Sequence, residues 1–370
     1  MISKRTVALL IALVGLLIFA AWRYFDATGL FRSYPDPEHL SVEEEMYRPV
    51  YENLSPKEKS VYTALYRGIS EQKENIPLPY ELSGEEYSKV YCILEKQEGE
   101  FFYLDSVYYT ANKVRDARVV YRDLDTVDMQ KKKLSEEVKK AVDGAVNSDD
   151  YYLARYINDY IVNNCRYITG EDRDYASTAY GCLVEGEANC EGYAKAFDLL
   201  AAELGLKSAL ITGTTDSGEN HAWNQVKVGT NWYNIDVTWA DTDGFGDMRK
   251  MYFLCDDATF EKSHIADTTF FVPFSCGNAD DNYDVKNGLY ADSAEKAEEI
   301  IRRELDKGNG VIELRFADDM TYEEFKTEYI KGEKVFEAAL ETSYPFGEQI
   351  NLNLRENEQE HCMTLDFTAE

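Results

Sequence analysis

The sequence predicts an α+β fold in which a helix that starts at a cysteine is followed by two antiparallel strands. Apolar and aromatic residues recur at helical spacing after Cys190, and Gly205 marks the expected end of that helix. Residues 219–228 and 231–239 are rich in β-branched and aromatic side chains with some alternation, which is typical of strands. Helical and strand-like segments also flank this block, so we expect an α/β accessory region before it and a small α+β domain after it.

The length and composition of the chain indicate a globular protein with several parts. A chain of 370 residues exceeds what one hydrophobic core usually holds, and 44% hydrophobic with 13% aromatic residues argues against disorder. The formal net charge of -30 argues against nucleic acid as a partner, because nucleic-acid binding needs a basic surface. The expected parts are a signal anchor or transmembrane helix at 1–23, a spacer at 24–40, an N-terminal accessory region at 41–148, a core around the cysteine at 149–275 and the C-terminal domain at 290–370.

The N-terminal segment has the pattern of a membrane anchor. Lys4 and Arg5 precede an uncharged apolar run from Thr6 to Trp22, which is near the lower length limit for a helix that spans a membrane. The end of this run offers no good small-residue cleavage site, which favours an uncleaved anchor over a cleaved signal peptide. Because the basic residues stay in the cytoplasm, we expect a single-pass protein of the cell membrane with an extracytoplasmic C-terminal portion. The alternative is secretion after signal cleavage.

The accessory region contains several start signals of helices. Ser55 before Pro56 is typical of a helix N-cap followed by proline at the first helical position, and Ser83 opens another helix. The spacing of apolar residues predicts helices over about 41–70 and from 83 past 93, strands at 100–109 and 113–122, and a helix at 134–146. Pro35 and Pro37 favour an extended spacer before this region.

Cys190 is the candidate nucleophile. Residues 151–165 predict a helix that enters the core, and a loop at 167–187 leads from it towards Cys190. The apolar pattern that begins at Tyr193 places Cys190 at or just before a helix N-terminus. There the unpaired N–H groups and the positive end of the helix dipole favour a thiolate over a thiol.

His221 and Asp236 lie in the two predicted strands. Gly229 and Thr230 join these strands by a turn that is short enough for a hairpin. His221 precedes this turn by nearly as many residues as Asp236 follows it, so the two side chains could be neighbours on one face. A bulge or one register step would decide this, and the sequence leaves the register open.

These residue types support one particular chemistry. A cysteine, a histidine and a carboxylate can act together as nucleophile, general base and orienting acid. The simpler interpretation is that Cys190 is a small buried hydrophobe and that His221 is a satisfied core or surface group. The backbone N–H of Cys190 is the first candidate oxyanion donor. The candidates for a second donor or for substrate binding are Tyr180 and Trp223.

Three blocks of the sequence resemble the transglutaminase-like superfamily, whose members share a papain-like Cys-His-Asp core. They are Cys-Glu-Gly-Tyr-Ala at 190–194, His-Ala-Trp-Asn at 221–224 and Trp-Tyr-Asn-Ile-Asp-Val-Thr-Trp at 232–239. Their order is that of the family: nucleophile, base and orienting acid. The segment from Tyr252 to His264 also resembles the one that often follows in bacterial members.

The resemblance assigns a role to each of the three residues. It implies Cys190 as the nucleophile, His221 as the base and Asp236 as the orienting acid, in a transglutaminase-like (papain-like) core. One departure is Asn189, where many relatives have a small or apolar residue before the cysteine. That difference concerns the mouth of the site and removes none of the three residues.

The resemblance also implies acyl transfer, in which Cys190 attacks an amide carbonyl, a thioester forms, and water or an amine resolves it. We expect hydrolysis of the peptidase or amidase type, with a peptide, protein or cell-wall amide as substrate. Protein cross-linking, removal of glycans from peptides and a non-catalytic cell-surface binding module on the same fold stay open as alternatives.

Neither a cofactor nor a metal is expected. Four histidines are too scattered for a zinc site, and the acidic turn at 241–247 lacks the spacing of an EF-hand loop. Seven cysteines in an extracytoplasmic chain would leave at least one unpaired, and Cys190 is the expected free thiol. Pairing among the other six stays open.

Overall fold

The computed structural model describes residues 4–28, 33–108, 113–146, 148–169, 173–241 and 250–368. The first element is helix α1, Lys4–Thr28, which contains most of the anchor predicted at 1–23. Apolar side chains along it, such as Leu16 and Phe19, are exposed. In the described part of the chain, no helix is both long enough and apolar enough to cross a membrane.

The N-terminal region combines helices with a three-stranded antiparallel sheet of order β1-β3-β2. Its elements are α2 Val42–Glu45, α3 Pro49–Glu52, α4 Pro56–Ser70, β1 Asn75–Leu82, α5 Gly84–Gln97, β2 Leu104–Tyr108, β3 Val114–Tyr121 and α6 Leu124–Gly144. Ser55 and Ser83 form capping boxes at the starts of α4 and α5, as predicted. The helical pattern over 41–70 is divided into three helices, and α6 starts well before the predicted residue 134.

The central region contains the four-stranded antiparallel sheet that carries the candidate site, with strand order β8-β7-β6-β9. Its elements are α7 Asp150–Asn164, β4 Arg166–Tyr167, a π-helical turn Gly181–Glu185, β5 Glu187–Ala188, α8 Cys190–Glu203, β6 Ser208–Thr215, β7 Asn220–Val228, β8 Asn231–Ile235, α9 Val237–Ala240, α10 Asp257–Phe260, β9 His264–Ala266 and α11 Tyr283–Lys286. The short strands β4 and β5 pair in parallel just before α8 begins.

Helix α8 begins at Cys190, as the sequence predicts. Its inner face is fully buried by Tyr193, Phe197 and Leu200, which recur at helical spacing. A Cβ at Gly192 would lie 2.4 Å from the carbonyl oxygen of Ala176, so only glycine lets the preceding loop approach this helix start so closely. The packing thus fixes where the first turn of α8 lies.

The predicted hairpin is present as β7 and β8. Val228 pairs with Asn231, which leaves Gly229 and Thr230 as a two-residue turn, and Gly229 has a φ of 58°. Strand β8 ends at Ile235 rather than at residue 239, because the next side chain caps α9 instead of continuing the ladder. The predicted helix at 151–165 is also present as α7.

The C-terminal elements form a mixed sheet of order β10-β11-β13-β12 that is covered by helices. They are β10 Tyr290–Ala291, α12 Ala294–Asp306, β11 Val311–Phe316, α13 Asp319–Phe325, a π-helical segment Lys326–Lys331, α14 Lys334–Leu340, β12 Asn353–Asn357 and β13 Cys362–Asp366. They have a hydrophobic core of their own, whereas the N-terminal and central regions share one core. A buried ion pair of 2.7 Å between Arg315 and Asp284 joins this sheet to the end of the central region.

Candidate active site

The start of α8 is held by an asparagine cap. The Oδ1 atom of Asn189 accepts hydrogen bonds from the backbone N–H groups of Glu191 at 3.1 Å and Gly192 at 3.2 Å. Its Nδ2 donates to Ser177 Oγ at 2.7 Å, which ties the cap to the preceding loop. The cap does not use the N–H of Cys190, so that group stays at the helix N-terminus beside the half-buried thiol.

His221 and Asp236 are in direct contact. The imidazole Nε2 of His221 lies 2.7 Å from Oδ2 of Asp236, and both side chains are buried. In the ladder, Asn224 pairs with Ile235, so Asp236 follows the last paired residue of β8 and lies near His221 on β7. The other carboxylate oxygen, Oδ1, accepts the N–H of Trp239 at 3.1 Å and caps α9.

The charges in this pair support each other. Burial lowers the pKa of His221, but the Asp236 carboxylate and the sulfur of Cys190 outweigh it and raise the pKa to about 10. Burial raises the pKa of Asp236, but the charge and hydrogen bond of His221 and the hydrogen bond of His264 lower it overall. The favoured state is therefore an imidazolium beside a carboxylate.

Cys190 and His221 line the same cavity of about 840 Å³. Since Asp236 occupies Nε2 of His221, Nδ1 is the ring nitrogen that can receive a proton from Cys190. The cavity lies between the sheet, the start of α8, helix α5 and the segment that follows β9. Its apolar walls include Ile93 from α5 together with Phe270 and Phe271.

The helix α5 that forms one wall is held by ion pairs and an amide. Lys195 is buried and binds Glu95 at 2.7 Å and Glu191 at 2.8 Å, which links α5 to the first turn of α8. The side chain of Gln97 donates to the carbonyl of Leu210 at 2.8 Å and accepts its N–H at 3.2 Å, so it occupies the backbone groups of β6 at that position. The N-terminal region is thus part of the cavity wall.

The structure places Tyr180 and Trp223 away from the cavity wall. Tyr180 is only 4% exposed and stacks on Phe102 with ring centroids 4.8 Å apart, so its ring is part of the shared core. Trp223 is 3% exposed and packs behind the site against Phe260 and His264. Neither is among the residues that line the described cavity with Cys190. The prediction that they contact substrate or an oxyanion is therefore not supported by their positions.

Tyr167 is a residue of the site that the sequence reasoning did not single out. It lies on β4 opposite Ala188, two residues before Cys190, and it lines the cavity that holds Cys190 and His221. Burial raises the pKa of Tyr167, and the nearby Cys190 and Asp236 raise it further. The sequence placed this tyrosine at the start of a loop and gave no signal that β4 and β5 pair.

Two other site residues could have been anticipated in part. In the sequence, Asn189 stands out as a departure from related sequences, but asparagine before a helix start is itself an N-cap signal. In the sequence, His264 stands out only as the end of the segment that resembles bacterial members of the family, whereas in the structure its Nε2 lies 3.1 Å from Oδ2 of Asp236. Because His264 lies far from Asp236 along the chain, local sequence patterns do not predict this contact.

The one cluster of metal-type ligands found in the described residues is His221, Asp236 and His264, whose ligand atoms lie within 4.8 Å of one another. The contacts of 2.7 and 3.1 Å to a single carboxylate oxygen are hydrogen-bond distances. Two ligands that each lie about 2.0–2.2 Å from a tetrahedral zinc ion would be farther apart than 2.7 Å. The three residues therefore fit a hydrogen-bond network and do not fit a metal. Most of the acidic turn at 241–247 lies outside the described residues.

All seven cysteines lie in the described part of the chain, and all carry free thiols. Burial raises the pKa of five of them, namely Cys92, Cys182, Cys255, Cys276 and Cys362. Cys92 lies in α5 and lines the same cavity as Cys190. It therefore offers a matched comparison for the reactivity of Cys190.

Residues 137–237 match the family described as the transglutaminase-like superfamily. The matched range contains Cys190, His221 and Asp236. No curated protein matches the chain.

The solved structures that are similar to parts of the chain include the following three. A candidate cysteine protease from Cytophaga hutchinsonii has 20% identity over 35% of this chain and 55% of its own, with a TM-score of 0.25. A TGase has 13% identity over 47% of this chain and 51% of its own, with a TM-score of 0.27. Menin, whose structure reveals the binding site for Mixed Lineage Leukemia protein, has 14% identity over 83% of this chain and 62% of its own, with a TM-score of 0.26. The chain matches less than two thirds of the length of each of these proteins.

Proposed function

The chain carries a transglutaminase-like domain at residues 137–237, and we propose that this domain is a thiol enzyme that transfers acyl groups. One observation carries the proposal. His221 binds the buried Asp236 at 2.7 Å and lines the same cavity as Cys190, which lies at the N-terminus of α8. This is the arrangement that a nucleophile, a base and an orienting acid require.

In the proposed reaction, the sulfur of Cys190 attacks the carbonyl carbon of an amide while His221 holds the proton. The C–N bond breaks, the leaving amine takes the proton from His221, and a thioester remains on Cys190. Asp236 keeps the imidazole in the orientation in which Nδ1 faces the sulfur. Water then attacks the thioester with His221 as base, which releases a carboxylic acid and restores the thiol.

The negative charge on the carbonyl oxygen needs hydrogen-bond donors in this reaction. The N–H of Cys190 is one, because the Asn189 cap uses the next two N–H groups instead. As the second donor we assign the hydroxyl group of Tyr167, which lines the cavity beside Cys190. This assignment replaces Tyr180, whose ring is packed in the core.

Hydrolysis is the outcome that we favour over transfer to an amine. The cavity of about 840 Å³ around the half-buried thiol leaves room for water. The substrate is then a peptide, protein or cell-wall amide, and no cofactor takes part. The location at the cell membrane, with an extracytoplasmic C-terminal portion, rests on Lys4, Arg5 and the apolar run that follows, and it stays a prediction.

The test uses the full chain with glutamine-containing peptides and cell-wall peptide fragments, in the presence of an excess of a primary monoamine. Mass spectrometry of the products separates a new carboxylate, expected for hydrolysis, from an amine adduct, expected for cross-linking chemistry. Cys190→Ser should abolish both products, whereas Cys92→Ser, in the wall of the same cavity, should keep them. Products that persist in Cys190→Ser, or binding of these fragments without any turnover, would overturn the proposal.

A further inference from the structure

His264 binds the same carboxylate oxygen as His221. Its Nε2 lies 3.1 Å from Oδ2 of Asp236, while Nε2 of His221 lies 2.7 Å from that oxygen. On the other side of the ring, Nδ1 lies 3.0 Å from the hydroxyl oxygen of Ser263. The residue is 1% exposed, so both ring nitrogens find their partners within the protein.

The register of the sheet brings the two histidines together. His221 on β7 is opposite Gly213 on β6, and His264 on β9 is opposite Thr215 on the same strand. Because residues two apart on a strand face the same side, both imidazoles lie on one face of the sheet. Their ring centroids are 5.5 Å apart.

The partners of His264 define its hydrogen-bonding state. A carboxylate can only accept, so the Nε2 that faces Asp236 must carry a hydrogen. The hydroxyl of Ser263 can donate to Nδ1 or accept from it, so this contact is compatible with a hydrogen on Nε2. The contact with Asp236 therefore places a hydrogen on Nε2 of His264, and Ser263 is the partner on the other side of the ring.

The ring of His264 is held rigidly in this position. Phe260 stacks on it with centroids 3.8 Å apart, and Trp239 packs at 4.5 Å. Trp239 also donates its backbone N–H to Oδ1 of Asp236 at 3.1 Å. The carboxylate is therefore fixed at both oxygens, and a residue other than His221 holds each of them.

We propose that His264 is a positioning residue that holds the Asp236 carboxylate in the orientation in which it binds His221. The inference rests on the proposed function, and it extends the three-residue site by a fourth side chain from β9. Without the hydrogen bond from His264, Oδ2 would be held only by the imidazole that it is meant to orient. His221 and its contact with Cys190 would then lose their fixed geometry.

A purely structural role for His264 would look different. A buried histidine that only fills the aromatic cluster would affect the stability of the fold, and its loss would act independently of Asp236. A positioning residue acts through Asp236, so its loss should matter only while the carboxylate is present. This difference can be measured without any substrate.

The experiment measures the rate at which iodoacetamide alkylates Cys190 in the full chain at one slightly acidic pH, read by mass spectrometry of the modified peptide. The variants are His264→Phe, His264→Gln, Asp236→Asn and the double variant of Asp236→Asn with His264→Phe. Phenylalanine keeps a ring without a donor, and glutamine can place an N–H near the position of Nε2. His361→Phe is the matched control, because His361 binds a different aspartate, Asp319, at 2.8 Å.

We expect His264→Phe to slow alkylation of Cys190 about tenfold, the order expected for losing one hydrogen bond to a charged group. His264→Gln should keep most of the rate, and His361→Phe should keep all of it. In the Asp236→Asn background, His264→Phe should cause no further loss. Thermal unfolding followed by circular dichroism shows whether each variant is folded. If His264→Phe does not fold, the rate measured in His264→Gln still decides the test.

Three outcomes would overturn the inference. One is an unchanged rate in His264→Phe. Another is an equal loss of rate in His264→Phe and His264→Gln. The third is the same loss in the presence and absence of the Asp236 carboxylate. Failure of the proposed function is distinguishable, because it would appear as a Cys190 rate that does not change in His221→Ala. A rate that depends on His221 but not on His264 would overturn the inference alone.

Discussion

Replacing Asp236 with asparagine tests the residue of the site whose side chain accepts three hydrogen bonds. Three N–H groups converge on this carboxylate: His221 Nε2 at 2.7 Å, His264 Nε2 at 3.1 Å and the backbone N–H of Trp239 at 3.1 Å. Asparagine offers one carbonyl oxygen and one NH2 group in place of two oxygens. In either orientation of the amide, at least one of the three donors faces another donor.

The expected losses of stability and of Cys190 reactivity in Asp236→Asn follow from the hydrogen bonds and from the charge of the carboxylate. A buried donor without a partner costs about 1–3 kcal/mol of stability, so Asp236→Asn should be destabilised by that order. The carboxylate of Asp236 is the main cause that raises the pKa of His221 from 6.5 to about 10, so it is the main support of the imidazolium. Losing most of this support should slow the alkylation of Cys190 by at least about 100-fold, which is the lower end of what a positioned acid–base group contributes.

The assay follows alkylation of Cys190 by iodoacetamide over the pH range in which the variant stays folded, together with thermal unfolding. Asp143→Asn is the matched control, since Asp143 is an exposed carboxylate on α6 that binds Lys139 at 2.7 Å. The control should change neither quantity measurably. If Asp236→Asn is folded and alkylates Cys190 as fast as the unaltered protein does, the reasoning about the His221–Asp236 pair is refuted.

Three further changes test other parts of the site and the buried residue Asp198 of α8. Asn189→Ala should lose about 1 kcal/mol of stability and should slow the alkylation of Cys190, because it removes the cap of α8. The control is Asp149→Ala, which removes the cap of α7 and should lose similar stability without changing the alkylation of Cys190. Equal effects of both variants on Cys190 would contradict the role of the Asn189 cap. Tyr167→Phe should lower kcat about 100-fold with little change in KM, because it removes an oxyanion donor. The control is Tyr152→Phe, at an exposed tyrosine, which should leave kcat unchanged. An unchanged kcat in Tyr167→Phe would exclude the role of Tyr167 as oxyanion donor. Burial raises the pKa of Asp198 from 3.8 to about 7, so the stability that its protonated form contributes is full below pH 3.8 and is lost as pH rises towards 7. As the pH rises from 3.8 towards 7, Asp198→Asn should therefore become more stable relative to the unaltered protein, as measured by urea unfolding. A stability difference between the two proteins that does not change with pH would contradict this.

Local signals in the sequence account for the parts of the fold that were predicted. Ser55 and Ser83 are helix caps in the structure, and Gly229 with Thr230 forms the hairpin turn that brings His221 near Asp236. These features depend on neighbours within a few residues, so the chemistry of single side chains is sufficient to predict them.

Features that depend on distant contacts were missed. Strand β1 contains Pro77 and Pro79, which argue against a strand, but β1 lies at the edge of its sheet, where proline is tolerated. The sequence names Tyr180 as a site residue and not Tyr167, because only the fold shows that Tyr180 stacks in the core and that Tyr167 lines the cavity. Likewise, β9 joins the sheet beside β6, and no local pattern reveals that this places His264 on Asp236.

The most direct test of the central claim is the pH dependence of Cys190 alkylation in the unaltered protein and in His221→Ala, with Cys190→Ser to verify the modified site. We expect Cys190 to react faster than the five cysteines whose thiol pKa is raised by burial, even at mildly acidic pH. We expect His221→Ala to remove this difference in rate. If Cys190 reacts no faster than Cys92, or keeps its rate in His221→Ala, there is no activated cysteine–histidine pair. The proposed thiol chemistry would then be contradicted.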